Sequence, residues 1–258
     1  MKKRTMKNTI KIIALMVFLL MSVVRLQAQT QYDQLSTNNG EVTIIPINHA
    51  TLALKWKNEV VYFDPSGDMD LFKDVEAPTI ILITDIHGDH FNLATLNNLK
   101  ANGVQIVAPK AVADQLPESF TKVKILSNSE NVSINQINIE AMPMYNLPET
   151  EDSRHPKGRG NGYVLTIGGK KIYVSGDTED IKEMRALENI DVAFVCMNLP
   201  YTMDVDAAAS AVVEFKPSVV YPFHFRGQGG LSDVDKFKEL VTSKNNAIEV
   251  RLRNWYGK

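Results

Sequence analysis

The chain has 258 residues, 28 of them Lys or Arg and 30 Asp or Glu, with five histidines and one cysteine. Residues 1–28 hold six of the 28 basic side chains and none of the 30 acidic ones, so the remainder carries 22 basic against 30 acidic residues, a formal charge of −8. That balance is poorly suited to a phosphate backbone and argues against nucleic acid as a partner. The lone Cys196, in the apolar run DVAFVC, excludes an intramolecular disulfide and reads as a buried structural thiol.

Taken in chain order, the first element is a targeting signal. Lys2, Lys3, Arg4, Lys7 and Lys11 precede an apolar stretch, Ile12 to Val24, and LQAQT follows with the small Ala28. That order is the one of a secretory signal peptide over residues 1–28. The apolar run is short for a bilayer span, so a retained membrane anchor is the second reading. No cysteine stands near the cut to carry a lipid. Export to the periplasm or medium follows, with no stable span after cleavage, and residues 29–258 are long enough for one large domain with its own core.

Residues 41–64 predict a three-strand meander: EVTIIPI, TLALKW, a break at Lys57-Asn58, then EVVYF into Asp64-Pro65-Ser66-Gly67. TIILIT is a β-branched run typical of a buried strand. LATLNNLKANG has helical spacing and a Gly stop, VQIVAP is a strand and AVADQL a short helix. KVKIL, NVSI and INIEAMPM are strands, and GYVLTIGGKKIYVSGD is a hairpin turning at Gly168-Gly169. IKEMRAL is helical, DVAFVC a strand, DVDAAASAVVEF a helix, SVVYPF a strand, DVDKFKELVTS a helix and IEVRLR a final strand. This alternation predicts sheets covered by helices. Leu147 to Gly162, polar and glycine-rich, predicts a long loop of the kind that carries function.

The histidines His49, His87, His90, His155 and His224 are few but placed suggestively. TIILIT runs into Asp85-Ile86-His87-Gly88-Asp89-His90, KKIYVS into Gly176-Asp177-Thr178, and SVVYPF into His224. Three apolar strands thus deliver candidate ligands at their carboxyl ends, where open α/β sheets place their sites. In extended chain Asp85, His87 and Asp89 share one side, and Gly88 lets the backbone bend so that His90 reaches round. Imidazole with carboxylate suits Zn²⁺, Mn²⁺ or Fe²⁺, and the lack of nearby thiols argues against a structural zinc knot.

The IHGDH at 86–90, GDT at 176–178, NLPYTM at 198–203 and YPFHF at 221–225, with NHATLAL and YFDPSG near the start, resemble the metallo-β-lactamase superfamily. The resemblance is to the branch of ascorbate-6-phosphate lactonase and related hydrolases. It implies an αββα sandwich: two mixed β-sheets packed face to face with helices outside. It also implies one or two divalent ions. His87 belongs to a first metal position; Asp89, His90 and His224 hold a second; Asp177 bridges them. Two positions depart from the pattern. Asp85 stands where the branch usually has histidine, and Asn146 where another histidine is usual, with His155 nine residues further on and a candidate to complete the first position. Carboxylate and amide in place of imidazole favour Mn²⁺ or Fe²⁺ over Zn²⁺.

Around this set, Asp64 suits a carboxylate that orients a ligand histidine, or a plain turn-initiating Asp before Pro65. His49 can line the mouth or pack. Arg154, Lys157, Arg159 and Arg226 can grip a phosphate or carboxylate of an anionic substrate, or form solvated charge. Tyr145, Tyr201 and Trp255 are aromatic candidates for apolar contact or core. The expected chemistry is attack by activated water on a small ester, lactone or amide-like bond, with Asp177 aiming the water and Asp89 acting as proton acceptor or ligand. Phosphodiester hydrolysis and a non-catalytic metal-binding protein are the alternatives, the latter resting on Asp85 and Asn146.

Overall fold

A computed structural model of the chain describes residues 32–257; the expected signal peptide, residues 1–28, lies outside them. Two seven-stranded sheets form the frame. The first holds β1 (Asp33–Thr37), β2 (Gly40–Asn48), β3 (Thr51–Trp56), β4 (Glu59–Phe63), β5 (Ile80–Leu82), β6 (Gln105–Ala108) and β7 (Val123–Ile125), side by side in chain order. β2, β3 and β4 are an antiparallel meander, and β4 to β7 run parallel. The second sheet comprises β8 (Asn131–Ile134), β9 (Ile137–Met144), β10 (Gly160–Ile167), β11 (Lys170–Val174), β12 (Val192–Val195), β13 (Val219–Pro222) and β16 (Glu249–Val250). Its β8–β11 half is antiparallel and its β11–β12–β13–β16 half parallel. Both sheets are mixed, as expected. β14 (Arg226–Gly227) and β15 (Gly230–Leu231) form a small separate hairpin.

Side-chain alternation explains the layering. Leu52, Leu54, Val61, Phe63, Ile80 and Leu82 of the first sheet share one hydrophobic cluster with Ile139, Leu165, Ile172, Val174, Phe194 and Val220 of the second. Their neighbours one residue away, Ala53, Tyr62 and Ile81, are equally buried but lie outside that cluster, on the opposite face of the pleat. Such two-sided burial requires cover on the outer faces. Phe72 covers part of it by stacking on Tyr62, with ring centroids 5.8 Å apart. The α-helices among the described residues are α1 (Leu93–Asn98), α2 (Lys110–Ala113), α3 (Lys182–Arg185), α4 (Val205–Phe215) and α5 (Val234–Lys244). Asn92, Asp204 and Asp233 cap α1, α4 and α5, each accepting from a backbone N–H three residues on. No described helix is long and apolar enough to cross a membrane.

Two expected boundaries move and one strand is added. The long loop ends at Arg159, because Gly160, Asn161 and Gly162 pair with Met144, Pro143 and Met142 and belong to β10. The last strand shrinks to Glu249–Val250, since the chain leaves the sheet edge to bury Trp255 against Phe194 and Phe223. β1 was not foreseen: DQLST is mostly polar, as suits a half-exposed strand beside β2 at the sheet edge. Phe194 sits at the centre of the second sheet, stacked on Tyr221 at 4.9 Å and edge-on to Phe223 and Trp255. Phe194→Ala is expected to destabilise the fold by about 3–5 kcal/mol, read as a lowered midpoint in urea unfolding with the slope unchanged.

Candidate metal centre

The strand ends converge. Asp64 follows β4, Thr84 to His90 follow β5, Tyr145 and Asn146 follow β9, Asp177 follows β11, Asn198 follows β12 and His224 follows β13. After β5 the chain does not stay extended. The His90 and Phe91 N–H groups both donate to the His87 carbonyl, at 2.9 and 2.8 Å, closing a tight turn. Asp85 and His87 therefore face one way with His155, whereas Asp89 faces His49 and His224 on the other. The expectation that Asp85, His87 and Asp89 share one side is corrected by this turn. Gly88 does not have a positive φ, and nothing approaches its missing Cβ. Gly176 is the glycine the site requires: at φ +61°, a Cβ there would lie 2.5 Å from Met144 Sδ and 3.2 Å from Thr84 Cβ.

Asp177 stands in the middle, almost fully buried. Its Oδ2 lies 3.2 Å from both His90 Nε2 and His155 Nε2, and its Oδ1 lies 3.0 Å from His224 Nε2. His90 Nε2 and His224 Nε2 are 3.1 Å apart, and Asp89 Oδ2 is 3.5 Å from His224 Nε2. On the other side, Asp85 Oδ2 is 2.7 Å from His87 Nδ1 and 3.9 Å from His155 Nε2. His155, in the loop between β9 and β10, is thus fully buried and close to both Asp85 and Asp177.

These contacts have a peculiarity. His87 Nδ1, His155 Nε2 and Asp177 Oδ1 are buried without a hydrogen-bond partner among the described residues, although each has an opposite-type atom within 3.2 Å. The atoms converge on common points rather than aligning donor to acceptor. Two ligands bound about 2.0–2.1 Å from one cation at tetrahedral angles are about 3.3 Å apart. The spacings of 3.0–3.5 Å around Asp177, His90 and His224 match that value. Charge agrees: among the described residues Asp64, Asp85, Asp89 and Asp177 meet one guanidinium, that of Arg159 on Asp85, and otherwise imidazoles. Burial acts to raise the Asp177 pKa, but the neighbouring His224 and His90 hold it well below the usual carboxylate range. Burial likewise works against Asp89, and the His49 hydrogen bond with the His90 and His224 charges wins, keeping its carboxyl low. An ionised, desolvated carboxylate cluster of this kind has room for divalent cations.

A second ring of side chains aims the first. Asp64 Oδ2 lies 2.8 Å from His90 Nδ1, while the Thr84 N–H and hydroxyl donate to Asp64 at 2.7 and 2.6 Å. His90 Nδ1–H therefore donates to Asp64 and Nε2 faces the cluster. Burial and the charges of Asp177 and Asp64 pull the His90 pKa in opposite directions, and the carboxylates prevail, raising it. Asn146 serves His155: its Oδ1 accepts from the His155 backbone N–H at 2.8 Å and lies 3.0 Å from Nδ1. Its Nδ2 donates to Glu179 and to the Tyr201 carbonyl, so the amide orientation is settled. Arg159 donates to both oxygens of Asp85, at 3.1 and 2.9 Å.

Other candidates fall outside the cluster. Lys157 pairs with Glu149 and Glu183 over the Tyr145 ring, so carboxylates already meet its charge. Arg159, expected among the substrate-gripping cations, is committed to Asp85. Arg226 is exposed and stacks on Tyr256, 4.0 Å from the ring centre. Trp255 and Tyr145 are core. Cys196 is buried, with its thiol pushed up to about 12 by that burial and by Asp177. The sequence reading missed Thr84, Asn198, which lies 3.4 Å from His224 Nε2, and Tyr256. Thr84 closes the strand that delivers Asp85, and that position was the available signal.

The profile of the Beta-lactamase superfamily domain matches residues 43–224. The chain belongs to the β-lactamase superfamily. Its relatives there include a UPF0173 metal-dependent hydrolase of Pyrococcus abyssi, 32% identical over 70% of this chain and 80% of that protein. Another, from Thermococcus onnurineus, is 32% identical over 66% and 77%. A solved structure described as a metal-dependent hydrolase from Parabacteroides distasonis is 36% identical, covers 86% of this chain and 98% of its own, and superposes with a TM-score of 0.76. A metallo hydrolase from Ignicoccus hospitalis shares the fold at 21% identity and a TM-score of 0.71. This superfamily member is thus a metal-dependent hydrolase, and its described residues include three His/Asp groups able to hold metal: Asp85, His87 and His155; His90, Asp177 and His224; and His49, Asp89 and His224.

Asn146→Ala is expected to leave the fold intact and lower divalent-metal affinity about 10–100-fold, the usual cost of losing a partner behind a ligand. Chelator competition on the purified variant measures it, and an unchanged affinity refutes the role given to Asn146.

Proposed function

We propose that this hydrolase is exported and uses one or two divalent ions, Zn²⁺ or Mn²⁺ with Fe²⁺ as a further candidate, to hydrolyse a small ester, lactone or amide-like substrate carrying a negative charge. The observation that carries it is the pair of convergent His/Asp clusters sharing Asp177. In this reading Asp85, His87 and His155 hold the first ion, Asp89, His90 and His224 the second, and Asp177 both. Asn146 and Asp64 act behind the ligands. When bound, a divalent ion lowers the pKa of water from nearly 16 to about 7 and polarises the scissile carbonyl.

The chain's own residues do the rest. Asp177, whose Oδ2 meets His155 of one half and His90 of the other and whose Oδ1 meets His224, accepts a hydrogen bond from the attacking water and orients it. Asp89 is the ligand candidate nearest solvent, its side chain 41% exposed against 4% for Asp177. It is placed to take a proton from the water and pass it to the leaving group. Arg226 follows His224 by two residues and has no carboxylate partner among the described residues, which suits it to an anionic group on the substrate. The alternative of a non-catalytic metal-binding protein rested on Asp85 and Asn146; against it, Arg159 neutralises Asp85 and Asn146 holds His155, whose imidazole lies beside Asp85 and Asp177. Export rests on the basic and apolar order of residues 1–24 and the small Ala28.

Elemental analysis of the purified protein beside a His87→Ala, His90→Ala double variant tests the metal assignment. The wild type should carry at least one equivalent and the variant almost none, and equal contents refute the ligand set. Chelation should abolish turnover of lactones and aryl esters, and added Mn²⁺ or Zn²⁺ should restore it; turnover of aryl phosphodiesters alone would transfer the assignment to that class. Arg226→Ala should raise KM about tenfold for a carboxylate-bearing ester, the worth of one charge-assisted hydrogen bond, and leave a neutral ester unchanged. Equal effects on both esters refute anion recognition by Arg226.

A further inference from the structure

His90, His155 and Asp85 each have a partner behind them in Asp64, Asn146 and Arg159, and Asp89 has one too. His49 Nε2 lies 3.3 Å from Asp89 Oδ2. The other ring nitrogen, Nδ1, lies 3.1 Å from the Tyr256 hydroxyl, which accepts the Phe225 backbone N–H at 2.9 Å. Having accepted from Phe225, Tyr256 retains its own proton to donate, and His49 Nδ1 is the acceptor in reach. The ring proton of His49 then sits on Nε2, the nitrogen 3.3 Å from Asp89 Oδ2. This order of donors makes His49 a hydrogen-bond donor to Asp89 rather than a metal ligand, although it lies among candidate ligand atoms.

The backbone at His49 is tied to the same half of the site. Its carbonyl accepts from the His224 N–H at 3.2 Å, and its N–H donates to the Trp255 carbonyl at 3.1 Å. Trp255 is fully buried against Phe194 and Phe223, which fixes the tail and with it the adjacent Tyr256. Tyr256 lies beyond residues 43–224, the span matched by the superfamily profile.

We propose that Tyr256 and His49 form a relay of hydrogen bonds that positions Asp89, so that the carboxyl-terminal tail is a working part of the second metal position. The proposal rests on the metal-centre reading above and assigns Tyr256 and His49 as positioning residues. Removing either relay member leaves Asp89 free to rotate, and the second position loses a fixed ligand while the first keeps all of its own.

The test is Co²⁺ titration of the purified protein, read by visible absorption and by chelator competition, on wild type, Tyr256→Phe, His49→Ala, His49→Gln and the double variant His49→Ala, Tyr256→Phe. Tyr256→Phe and His49→Ala should each weaken Co²⁺ binding about tenfold or more and alter the absorption bands. The double variant should be no worse than His49→Ala alone, as expected of members of one chain. His49→Gln, whose amide can donate to Asp89, should recover most of the affinity. Wild-type affinity and spectrum in Tyr256→Phe overturn the relay. So does a His49→Gln variant as weak as His49→Ala, which would make His49 a ligand. A wild type that takes up no Co²⁺ overturns the metal centre itself, a result separate from both. Circular dichroism of each variant shows that the losses do not come from unfolding.

Discussion

The arrangement turns on one buried carboxylate. Asp177 is 3% exposed, and its two oxygens face imidazole nitrogens from His90, His155 and His224 at 3.0–3.2 Å. A carboxylate in that position is costly unless positive charge or strong donors compensate it. The three histidines come from segments far apart in the chain, and none of them alone is held to Asp177 by local structure. They meet because β5, β11 and β13 end at the same edge of the two-sheet frame, and because the loop between β9 and β10 folds back over that edge. The frame is what makes the carboxylate tolerable.

The first half of the centre shows how a changed ligand set is accommodated. With carboxylate at position 85 and amide at 146, that half has more negative charge and two imidazoles fewer at the usual places. Both deficits are met from the same loop. Arg159 neutralises Asp85 through two donors, and His155 brings its ring to Asp85 and Asp177. Asn146 has its side chain engaged by His155, Glu179 and Tyr201 and holds His155 in place. The loop residues and the two departures are therefore coupled, and each of the four is intelligible only with the other three.

What was legible in the sequence follows from this division. Strands such as TIILIT and DVAFVC are buried on both faces and read as continuous apolar runs, so their existence and their polar termini were visible. The residues that close them, Asp85 to His90, Asp177 and His224, were visible for the same reason. The pairing of Arg159 with Asp85 was not, because a charged residue in a glycine-rich loop has the same local pattern whether it binds a substrate, water or a buried carboxylate. Nor was the turn after β5, since an extended reading of DIHGD ignores the His87 carbonyl as an acceptor. Tyr256 was invisible because its role depends on where Trp255 docks, and no periodicity records that.

Backbone strain gives an independent measure of how tightly the site is determined. Ten described non-glycine residues have positive φ, and seven of them, such as Lys57, Asn135 and Lys216, are exposed in turns, a bend or a helix end. The remaining three are Asp64 at +45°, His224 at +45° and His49 at +52°, and none of them is exposed. A left-handed non-glycine residue costs about 1–2 kcal/mol, and a β-region alternative would be open to each if its surroundings allowed. They do not: Asp64 is fixed by its bonds to Thr84 and His90, His224 by its N–H on the His49 carbonyl, and His49 by its N–H on Trp255. Three strained residues thus sit in or beside the cluster: His224 faces Asp177, Asp64 lies behind His90 and His49 beside Asp89, and the last is tied to His224 through the backbone. That concentration is expected where geometry at a reacting centre is selected over local stability.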